Sequence, residues 1–397
     1  MTAGHDDTSV TLDAWHQLHS PRTRDLLLAM EAIESPGPSE LARLRREWPV
    51  PVVSAALELH RARRRARAKF EHASELWCDV PGVEQASSER VAAWKAGRFR
   101  EAGVESVLDL CCGIGGDTRS LAGVAAVHAI DLDPIRCWMA GLNAGCTTEV
   151  ADAAAVEVGD RCLHVDPARR DERSGRRRWN PEDHRPPWSV LGGILARARG
   201  AACKLGPGLP LPLAGAPDGT EYEVIQERGQ LVQGVLWCGA LARDPGRRRA
   251  TLLPEGATVC GTPGRIVTPE RPPVPGEFLV EAAPALERAE LVAHRLADRD
   301  DVGELASGLG LLGSPSPLDP PWFTSWRVEA VLPMRERPLR RWLRAHDTGE
   351  VVVRTRGGAV PVDEWARRLR GAGTTRRVLF ALRLGDSLRA VVVQSTG

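Results

Sequence analysis

The sequence predicts an α/β protein built around a doubly wound parallel sheet, with a helical region before the sheet and a small α+β unit after it. Three observations support this fold class. Apolar residues recur at helical spacing over 12–99, and β-branched runs alternate with loops and helices from about residue 105. Strands and helices then alternate again over 327–394.

Length and composition exclude several classes of protein. The 397 residues suggest two or three domains, and the 43% of hydrophobic residues exclude a disordered tail. With 53 basic and 52 acidic residues the net charge is +1. There is no run of about 18 apolar residues and the N-terminus is polar, so we expect neither a membrane span nor a secretory signal, and a cytoplasmic location.

Cysteine and lysine usage is distinctive. The nine cysteines form no CxxC pair and match no metal-ligand spacing, so we expect reduced thiols and no metal site. Lysine occurs only at Lys69, Lys95 and Lys204, and arginine supplies the remaining positive charge. Arginine favours phosphate contacts, but genome composition explains the bias equally well.

The N-terminal region reads as helices punctuated by prolines. One predicted helix, 52–77, carries six basic residues and no acid between residues 61 and 69. This stretch is either a solvated helix face or a phosphate-binding stripe, for which Arg64 and Arg67 are the candidate contacts.

The central region predicts a sheet closed by an antiparallel hairpin. Five prolines in 262–276 indicate a domain boundary. The predicted domains are therefore a helical region (1–100), the sheet domain (101–265), a linker with a helical connection (266–326) and the α+β unit (327–397). The predicted strands of the sheet are 106–111, 127–133, 148–152, 162–167, one that contains Cys203, and the hairpin pair 221–226 and 231–237.

The C-terminal part follows the proline-rich linker. A helix is predicted over 284–298, followed by a Gly/Ser/Pro-rich stretch over 303–321. The α+β unit has predicted strands at 327–332, 350–356, 377–384 and 388–394, and predicted helices at 339–345 and 362–370.

A glycine-rich turn follows the first strand and opens a helix. Asp131 comes 22 positions after Asp109, at the tip of the next strand, where a carboxylate can accept hydrogen bonds from ribose hydroxyls. Dinucleotide enzymes share this logic, but their fingerprint needs GxGxxG, and here Cys112 stands near the first expected glycine. Asp109 suits a cationic sulfonium ligand better than a pyrophosphate. The turn therefore favours S-adenosylmethionine over NAD.

Four stretches resemble motifs one to four of class I S-adenosylmethionine-dependent methyltransferases. They are VLDLCCGIGGD (107–117), AIDLDP (129–134), Asp152 and VDPARR (165–170). The bacterial methyltransferases with a THUMP-like C-terminal domain are the most similar group, which EQASS (84–88), KLGPG (204–208) and PALERAEL (284–291) also resemble. The core is similar to trimethylguanosine synthase too. The resemblance implies a Rossmann-like sheet of seven strands with the hairpin at its edge, followed by a THUMP-like domain.

The resemblance also implies a set of residues for S-adenosylmethionine. Asp131 would hold the ribose hydroxyls, and Asp152 would lie near the adenine amino group. The turn would bind the methionine end of the cofactor through Asp109, Cys112, Gly113, Gly115, Gly116 and Asp117.

The fourth motif departs from the pattern of amine methyltransferases, which carry Asp/Asn-Pro-Pro and an aromatic residue. Asp166 and Pro167 are present as candidate catalytic residues, with Asp166 orienting the attacking amine. Carbon methylation would instead need a cysteine nucleophile after a proline, which neither Cys162 nor Cys203 is. Substrate contacts could come from Arg169 and Arg170, and from Trp179 and Trp188 unless these are core residues.

THUMP domains in other enzymes bind RNA, so the resemblance implies a tRNA or rRNA substrate. The basic clusters at 61–69 and 169–178 agree with this, although the net charge near zero means that acids elsewhere offset them. An RNA base N-methyltransferase is the preferred hypothesis. A methyltransferase for a small-molecule or protein acceptor, which would need a closed apolar pocket, and a non-catalytic binding module are the alternatives.

Overall fold

The computed structural model describes residues 10–168, 180–266 and 268–395, which form two compact units. The first unit contains the chain up to Tyr222 together with Gln233–Gly246, and the second contains Glu223–Val232 and the chain from Arg247 onward. The predicted boundary at residue 265 therefore lies inside the second unit. Prolines interrupt regular structure there, but the strand Phe278–Ala282 that follows them belongs to a sheet of the same unit.

Six α-helices precede the first strand within the described residues, in the region that the sequence predicts to be helical. The first is capped by Thr11, whose side chain accepts a hydrogen bond from the Ala14 amide. Trp15, Leu26 and Leu59 are buried in the apolar core between the helices. In chain order the six helices are α1 (Leu12–His19), α2 (Arg24–Glu31), α3 (Pro38–Glu47), α4 (Val50–Ala66), α5 (Val80–Gln85) and α6 (Glu89–Glu101).

Helix α4 is shorter than the predicted helix 52–77. The amides of Lys69 and Phe70 both donate to the Ala66 carbonyl, so the chain turns at this point. Phe70 is buried beyond the turn, in the same core as the helix. The apolar spacing continues past the helix end because the turn residues fill the same core.

Parallel strands with helices between them form the centre of the first unit. The elements are β1 (Ser106–Leu110), α7 (Gly116–Ala122), β2 (Ala126–Asp131), α8 (Pro134–Ala144), β3 (Thr147–Val150), β4 (Cys162–Val165), α9 (Trp188–Arg197), β5 (Gly200–Leu205), β6 (Glu221–Glu227) and β7 (Gln230–Gly239). Strands β1 to β5 pair in parallel, and β7 is antiparallel to β5. The seven predicted strands are present in the order β3-β2-β1-β4-β5-β7-β6, but the sheet continues beyond β6 with two further strands, to nine in all. The hairpin is therefore not at the edge of the sheet, because another strand pairs with β6. The division between the units passes through the hairpin β6–β7.

The second unit contains a strand pair and a seven-stranded sheet. Its elements are β8 (Arg248–Leu253), β9 (Ala257–Gly261), β10 (Phe278–Ala282), α10 (Pro284–Arg288), α11 (Val292–Arg295), β11 (Gly303–Glu304), β12 (Leu312–Ser314), β13 (Phe323–Pro333), α12 (Glu336–Ala345), β14 (Thr348–Thr355), α13 (Val362–Leu369), β15 (Thr375–Leu384) and β16 (Ser387–Ser395). The order of the second sheet is β11-β12-β10-β13-β16-β15-β14. Only β14 and β15, which flank α13, pair in parallel within it. The antiparallel strands β8 and β9 follow β6 in the first sheet.

The second unit differs most from the sequence prediction. The predicted helix 284–298 is two short helices, α10 and α11, because Glu290 has a φ of 56° that no helix accommodates. The predicted linker 266–326 contains β10, β11 and β12, and the sequence did not predict β8 and β9. Strands β11 and β12 have two and three residues, too few to show an alternating pattern.

All nine cysteines are free thiols. None of the helices in the described part of the chain is both long and apolar enough to cross a membrane. Within the same residues, no group of three or more His, Cys, Asp or Glu side chains is placed to hold a metal ion.

Candidate active site

Carboxylates from neighbouring parallel strands lie at one edge of the first sheet. Asp131 is the last residue of β2, Asp152 follows β3, and Asp166 follows β4. The glycine-rich turn follows β1 at the same edge. Because ligands of such sheets bind outside the carboxyl ends of the strands, this edge is the candidate active site.

The turn between β1 and α7 depends on glycine at two positions for different reasons. The φ angles of Gly113 and Gly115 are 55° and 80°. A Cβ at Gly115 would lie 2.9 Å from the Cα of Ala140, so this glycine lets the turn pack closely on α8. At Gly113, apart from its own atoms and its two chain neighbours, no atom of the described residues lies within 4 Å of the Cβ position. Gly113 therefore leaves room for a ligand beside the backbone.

Cys112 and Gly116 support the turn from inside. The Cys112 amide donates to the Ile130 carbonyl at 3.0 Å, and its side chain is buried. A hydrogen bond with Cys137, together with burial, raises the pKa of the Cys112 thiol well above its usual value and keeps the thiol neutral. A Cβ at Gly116 would lie 3.1 Å from the Cβ of Ala86, so glycine allows this close approach.

Asp131 and Asp152 differ in their surroundings. The two Asp131 carboxylate oxygens accept hydrogen bonds from the amides of Gly113 (2.8 Å) and Asp133 (3.0 Å). Burial raises the pKa of Asp131, and these two amides oppose the shift. Asp152 is exposed, and its carboxylate accepts from the Ala154 amide at 2.9 Å.

The Asp109 carboxylate is fully buried, with a protein partner on each oxygen. His164 Nδ1 lies 2.7 Å from one oxygen, and the Thr118 hydroxyl donates to the other at 2.5 Å. The resemblance places Asp109 among the cofactor contacts. In the structure it joins β1 to α7 and β4, so its geometry favours a positioning role over direct contact with a ligand.

Asp117 belongs to a buried polar network beside Asp109. Lys95 Nζ lies 2.7 Å from one Asp117 oxygen and 3.1 Å from His164 Nε2, and the Ser87 hydroxyl donates to the other Asp117 oxygen at 2.8 Å. Burial alone would raise the pKa of Asp117. The Lys95 ammonium, assisted by His164 and Lys204, outweighs burial and holds that pKa below its usual range. Asp117 is thus an ion-paired buried acid.

Asp166 is held by a lysine that the sequence analysis did not assign to the site. Lys204 Nζ lies 2.5 Å from Asp166 Oδ2 and also donates to the Gln85 carbonyl at 2.9 Å. The Asp166 amide donates to the Leu110 carbonyl at 3.1 Å, which fixes the backbone at the end of β4. Pro167 follows. Asp166 is therefore fixed both at its backbone and at one carboxylate oxygen.

The predicted substrate contacts have different outcomes. Arg169, Arg170 and Trp179 lie outside the described residues. Trp188 belongs to the apolar core, with its indole N–H donating to the Ala214 carbonyl at 2.6 Å, so the structure favours the core alternative over stacking on a base. Arg64 and Arg67 are exposed near the end of α4, and both line a cavity.

Sequence reasoning missed Lys95, Lys204, Ser87 and His164 as parts of the site. The rarity of lysine in this arginine-rich chain was a signal that could have found two of them. Of its three lysines, Lys95 and Lys204 are both buried. The EQASS stretch supplies Ser87 and the Gln85 carbonyl, and KLGPG begins with Lys204.

Comparison with known proteins identifies the family. An uncharacterized S-adenosylmethionine-dependent methyltransferase from Mycobacterium tuberculosis H37Rv is 32% identical over 321 residues, which cover 76% of this chain and 83% of that protein. A protein of the same description from strain CDC 1551 matches equally. The chain belongs to the S-adenosylmethionine-dependent methyltransferases. It is thus a methyltransferase enzyme, and S-adenosylmethionine is its cofactor.

Two further comparisons concern the domains of this methyltransferase. A family model described as THUMP domain-like matches residues 323–395, which confirms the predicted THUMP-like domain. The crystal structure of a candidate methyltransferase from Porphyromonas gingivalis W83 covers all of both chains with a TM-score of 0.67 at 16% identity, which shows a shared fold.

Proposed function

We propose that this methyltransferase N-methylates a base in RNA, either tRNA or rRNA. The observation that carries the proposal is the THUMP domain-like match at 323–395 in a chain that belongs to the S-adenosylmethionine-dependent methyltransferases. The retained acid and proline of the fourth motif, Asp166 and Pro167, favour nitrogen as the acceptor atom.

The charge of the C-terminal domain supports an RNA substrate. Helix α12 presents four exposed arginines, of which Arg340 pairs with Glu336 at 3.1 Å. Arg337, Arg341 and Arg344 have no ion-pair partner among the residues that the structure describes. Unpaired guanidinium groups on one helix suit the phosphates of a nucleic acid.

The edge of the first sheet fits S-adenosylmethionine. Gly113 leaves space beside the backbone, and carboxylates at the ends of β2 and β3 match the hydrogen-bond donors of a nucleoside. We assign Asp131 to the ribose hydroxyls and Asp152 to the adenine amine. Asp109 acts through Thr118 and His164, which hold the turn in place. When bound, the cofactor supplies a methyl group already activated on a sulfonium.

The protein's remaining task is to align the acceptor nitrogen. Asp166 Oδ2 is bound to Lys204, while Oδ1 has no partner among the described residues and can accept a hydrogen bond from the amine. Pro167 restricts the backbone after Asp166, which fixes the adjacent carbonyl as a second acceptor. Lys204 touches neither reactant in this arrangement, so it is a positioning residue.

Transfer of a radiolabelled methyl group tests the proposal. Total RNA from a strain that lacks this gene should be labelled by the protein, and RNA from the parent strain should not, because its site is already methylated. Digestion to nucleosides then identifies the methylated atom. Binding of the cofactor without labelling of either RNA would contradict an RNA substrate and favour a small-molecule or protein acceptor.

The same assay tests Asp166. We expect Asp166→Ala to retain cofactor binding and to lower turnover by roughly 100-fold or more, as the loss of an orienting acid does. Asp160→Asn is a matched control, because Asp160 is an exposed acid just before β4, at the opposite end of the strand from Asp166. Equal turnover of the Asp166 variant and the control would remove Asp166 from the mechanism.

A further inference from the structure

A cavity of about 530 Å³ lies among the N-terminal helices, between residues of α2 and α4. Its apolar lining includes Leu27, Met30 and Leu59, and its polar lining includes His60 and Arg67. Ligand sites typically have volumes of about 300–1,000 Å³ and combine an apolar wall with a few polar groups. The cavity has the size and the lining of such a site, and the proposed catalytic mechanism does not use it.

His60 supplies a buried nitrogen atom, Nε2, that has no hydrogen-bond partner among the described residues. The residue is 9% exposed. Burial lowers the pKa of His60, and the charges of Arg64 and Arg67 act in the same direction, whereas the Glu34 carbonyl and the Glu31 carboxylate oppose them. A neutral imidazole has one donor and one acceptor nitrogen. Because an unpartnered buried nitrogen is unfavourable, a ligand that hydrogen-bonds to His60 would stabilise the site.

One of the three arginines that line the cavity has no acidic partner among the described residues. Arg63 pairs with Glu31 at 2.8 Å, and Arg64 pairs with Glu34 at 3.5 Å. Arg67 is exposed, with no ion-pair partner in the described part of the chain. The two carboxylates of the cavity are therefore balanced, and Arg67 can bind an anion.

We propose that this cavity binds one nucleotide of the RNA substrate, with the base between the apolar side chains, its edge on His60 and a phosphate on Arg67. The inference rests on the proposed RNA methylation. A nucleobase has an apolar face and a hydrogen-bonding edge, and its phosphate is anionic. These three features match the three kinds of group that line the cavity.

Hydrogen bonds through residues 83–86 connect the end of α4, which lines the cavity, to the candidate catalytic acid Asp166. Lys69, two residues after Arg67, donates through Nζ to the carbonyls of Val83 and Ala86 at 2.8 Å each. The carbonyl of Gln85, between them, accepts from Lys204, which holds Asp166. An RNA strand bound at the cavity would thus contact the same group of hydrogen-bonded residues that positions Asp166.

Calorimetric titration with nucleoside 5′-monophosphates tests the site, with S-adenosylhomocysteine in excess so that the cofactor site is filled. We expect saturable binding to the full-length protein. Arg67→Gln should weaken this binding by about tenfold, as the loss of one charge-assisted contact does. His60→Gln should also weaken it. Arg46→Gln is the matched control, because Arg46 is exposed on α3 and does not line the cavity, so it should bind like the wild type.

Kinetics with RNA separate this inference from the proposed function. Arg67→Gln should raise the KM for RNA several-fold and leave kcat within about twofold, because it removes a binding contact. Arg67 is exposed, so its replacement should not unfold the protein. Unchanged nucleotide affinity and unchanged KM in the Arg67 and His60 variants would overturn the cavity assignment while RNA methylation stands. Nucleotide binding without methylation of any RNA would overturn the proposed function and with it the assignment of the cavity to RNA.

Discussion

Each of the three lysines lies where a compact ammonium group contacts several acceptors at once. Lys69 donates to three backbone carbonyls. Lys95 contacts Asp117 inside the first unit, and Lys204 holds Asp166. An ammonium group on a flexible stem can satisfy such converging acceptors, whereas the planar guanidinium of arginine needs more space. In a chain this rich in arginine, lysine thus marks positions where a buried or converging set of acceptors requires it.

Replacement of Lys95 tests the buried pair directly. Lys95→Met leaves the Asp117 carboxylate buried without its nearest cation, so we expect the free energy of unfolding at pH 7 to fall by about 3–5 kcal/mol. In the wild type the pKa of Asp117 is lowered, so its stabilisation is present above the unfolded carboxyl pKa and is lost as the pH falls below it. In the variant, burial raises that pKa, and protonation then relieves the unpaired charge.

The deficit of Lys95→Met should therefore be smaller at pH 5 than at pH 7, as measured by urea unfolding against the wild type at each pH. Leu18→Ala is the control, because Leu18 is fully buried in the apolar core of the helical region and its loss involves no charge. Its deficit, about 2–5 kcal/mol, should be equal at the two pH values. A Lys95→Met deficit that is constant or grows with acidity would show that Asp117 does not carry the effect.

At the scale of elements, the sequence predicts those helices and strands whose pattern of apolar residues lies within a single segment. The helical spacing over 12–99 and the strands β1 to β7 could be predicted directly. The helices bury one repeating face, and β1, β4, β5 and β6 are short runs buried along almost their whole length. The end of α4 could not be predicted, because Phe70 lies in the turn after the helix and continues its apolar spacing. Strands β11 and β12 likewise depend on hydrogen bonds from neighbouring strands rather than on a pattern of their own.

The site follows the same rule. The position of Asp109 before the glycine turn is visible in the sequence, but its partner His164 lies 55 residues away and meets it only because β1 pairs with β4. Its two protein partners favour a positioning role for Asp109 over a direct ligand contact. The sequence therefore locates the edge of the sheet and its acids, and tertiary pairing decides which of these acids have protein partners.

The turn between β1 and α7 gives a prediction with an internal control. Gly113→Ala adds a methyl group that, its chain neighbours aside, has no atom of the described residues within 4 Å. We therefore expect a stability loss of about 1–2 kcal/mol from the positive φ and a clear loss of cofactor affinity. Gly115→Ala places its methyl 2.9 Å from Ala140, so its loss of stability should be the larger of the two. Thermal unfolding and calorimetric titration with S-adenosylmethionine measure both effects. Equal cofactor affinity for the wild type and Gly113→Ala would mean that the open space at Gly113 is not part of the cofactor site.

At the scale of the whole molecule, a net charge of +1 hides an uneven distribution. The arginines of α12 are exposed and mostly unpaired among the described residues, whereas those of α4 near the cavity mostly have acidic partners. Long-range attraction by the net charge is therefore weak, and RNA binding must rest on local basic patches. Such binding depends on salt in proportion to the number of phosphate contacts.

The salt dependence of RNA binding by the full-length protein counts these contacts. For Arg337→Gln/Arg341→Gln/Arg344→Gln on α12 we expect weaker binding and a slope of log affinity against log salt that is shallower by about 2, since each phosphate contact to single-stranded RNA contributes about 0.7. The control, Arg43→Gln/Arg45→Gln/Arg46→Gln, removes three exposed arginines from α3 and changes the net charge equally. Its slope should remain close to that of the wild type. Equal slopes for the two triple variants would show that net charge alone governs binding, and α12 would then not be an RNA-binding helix.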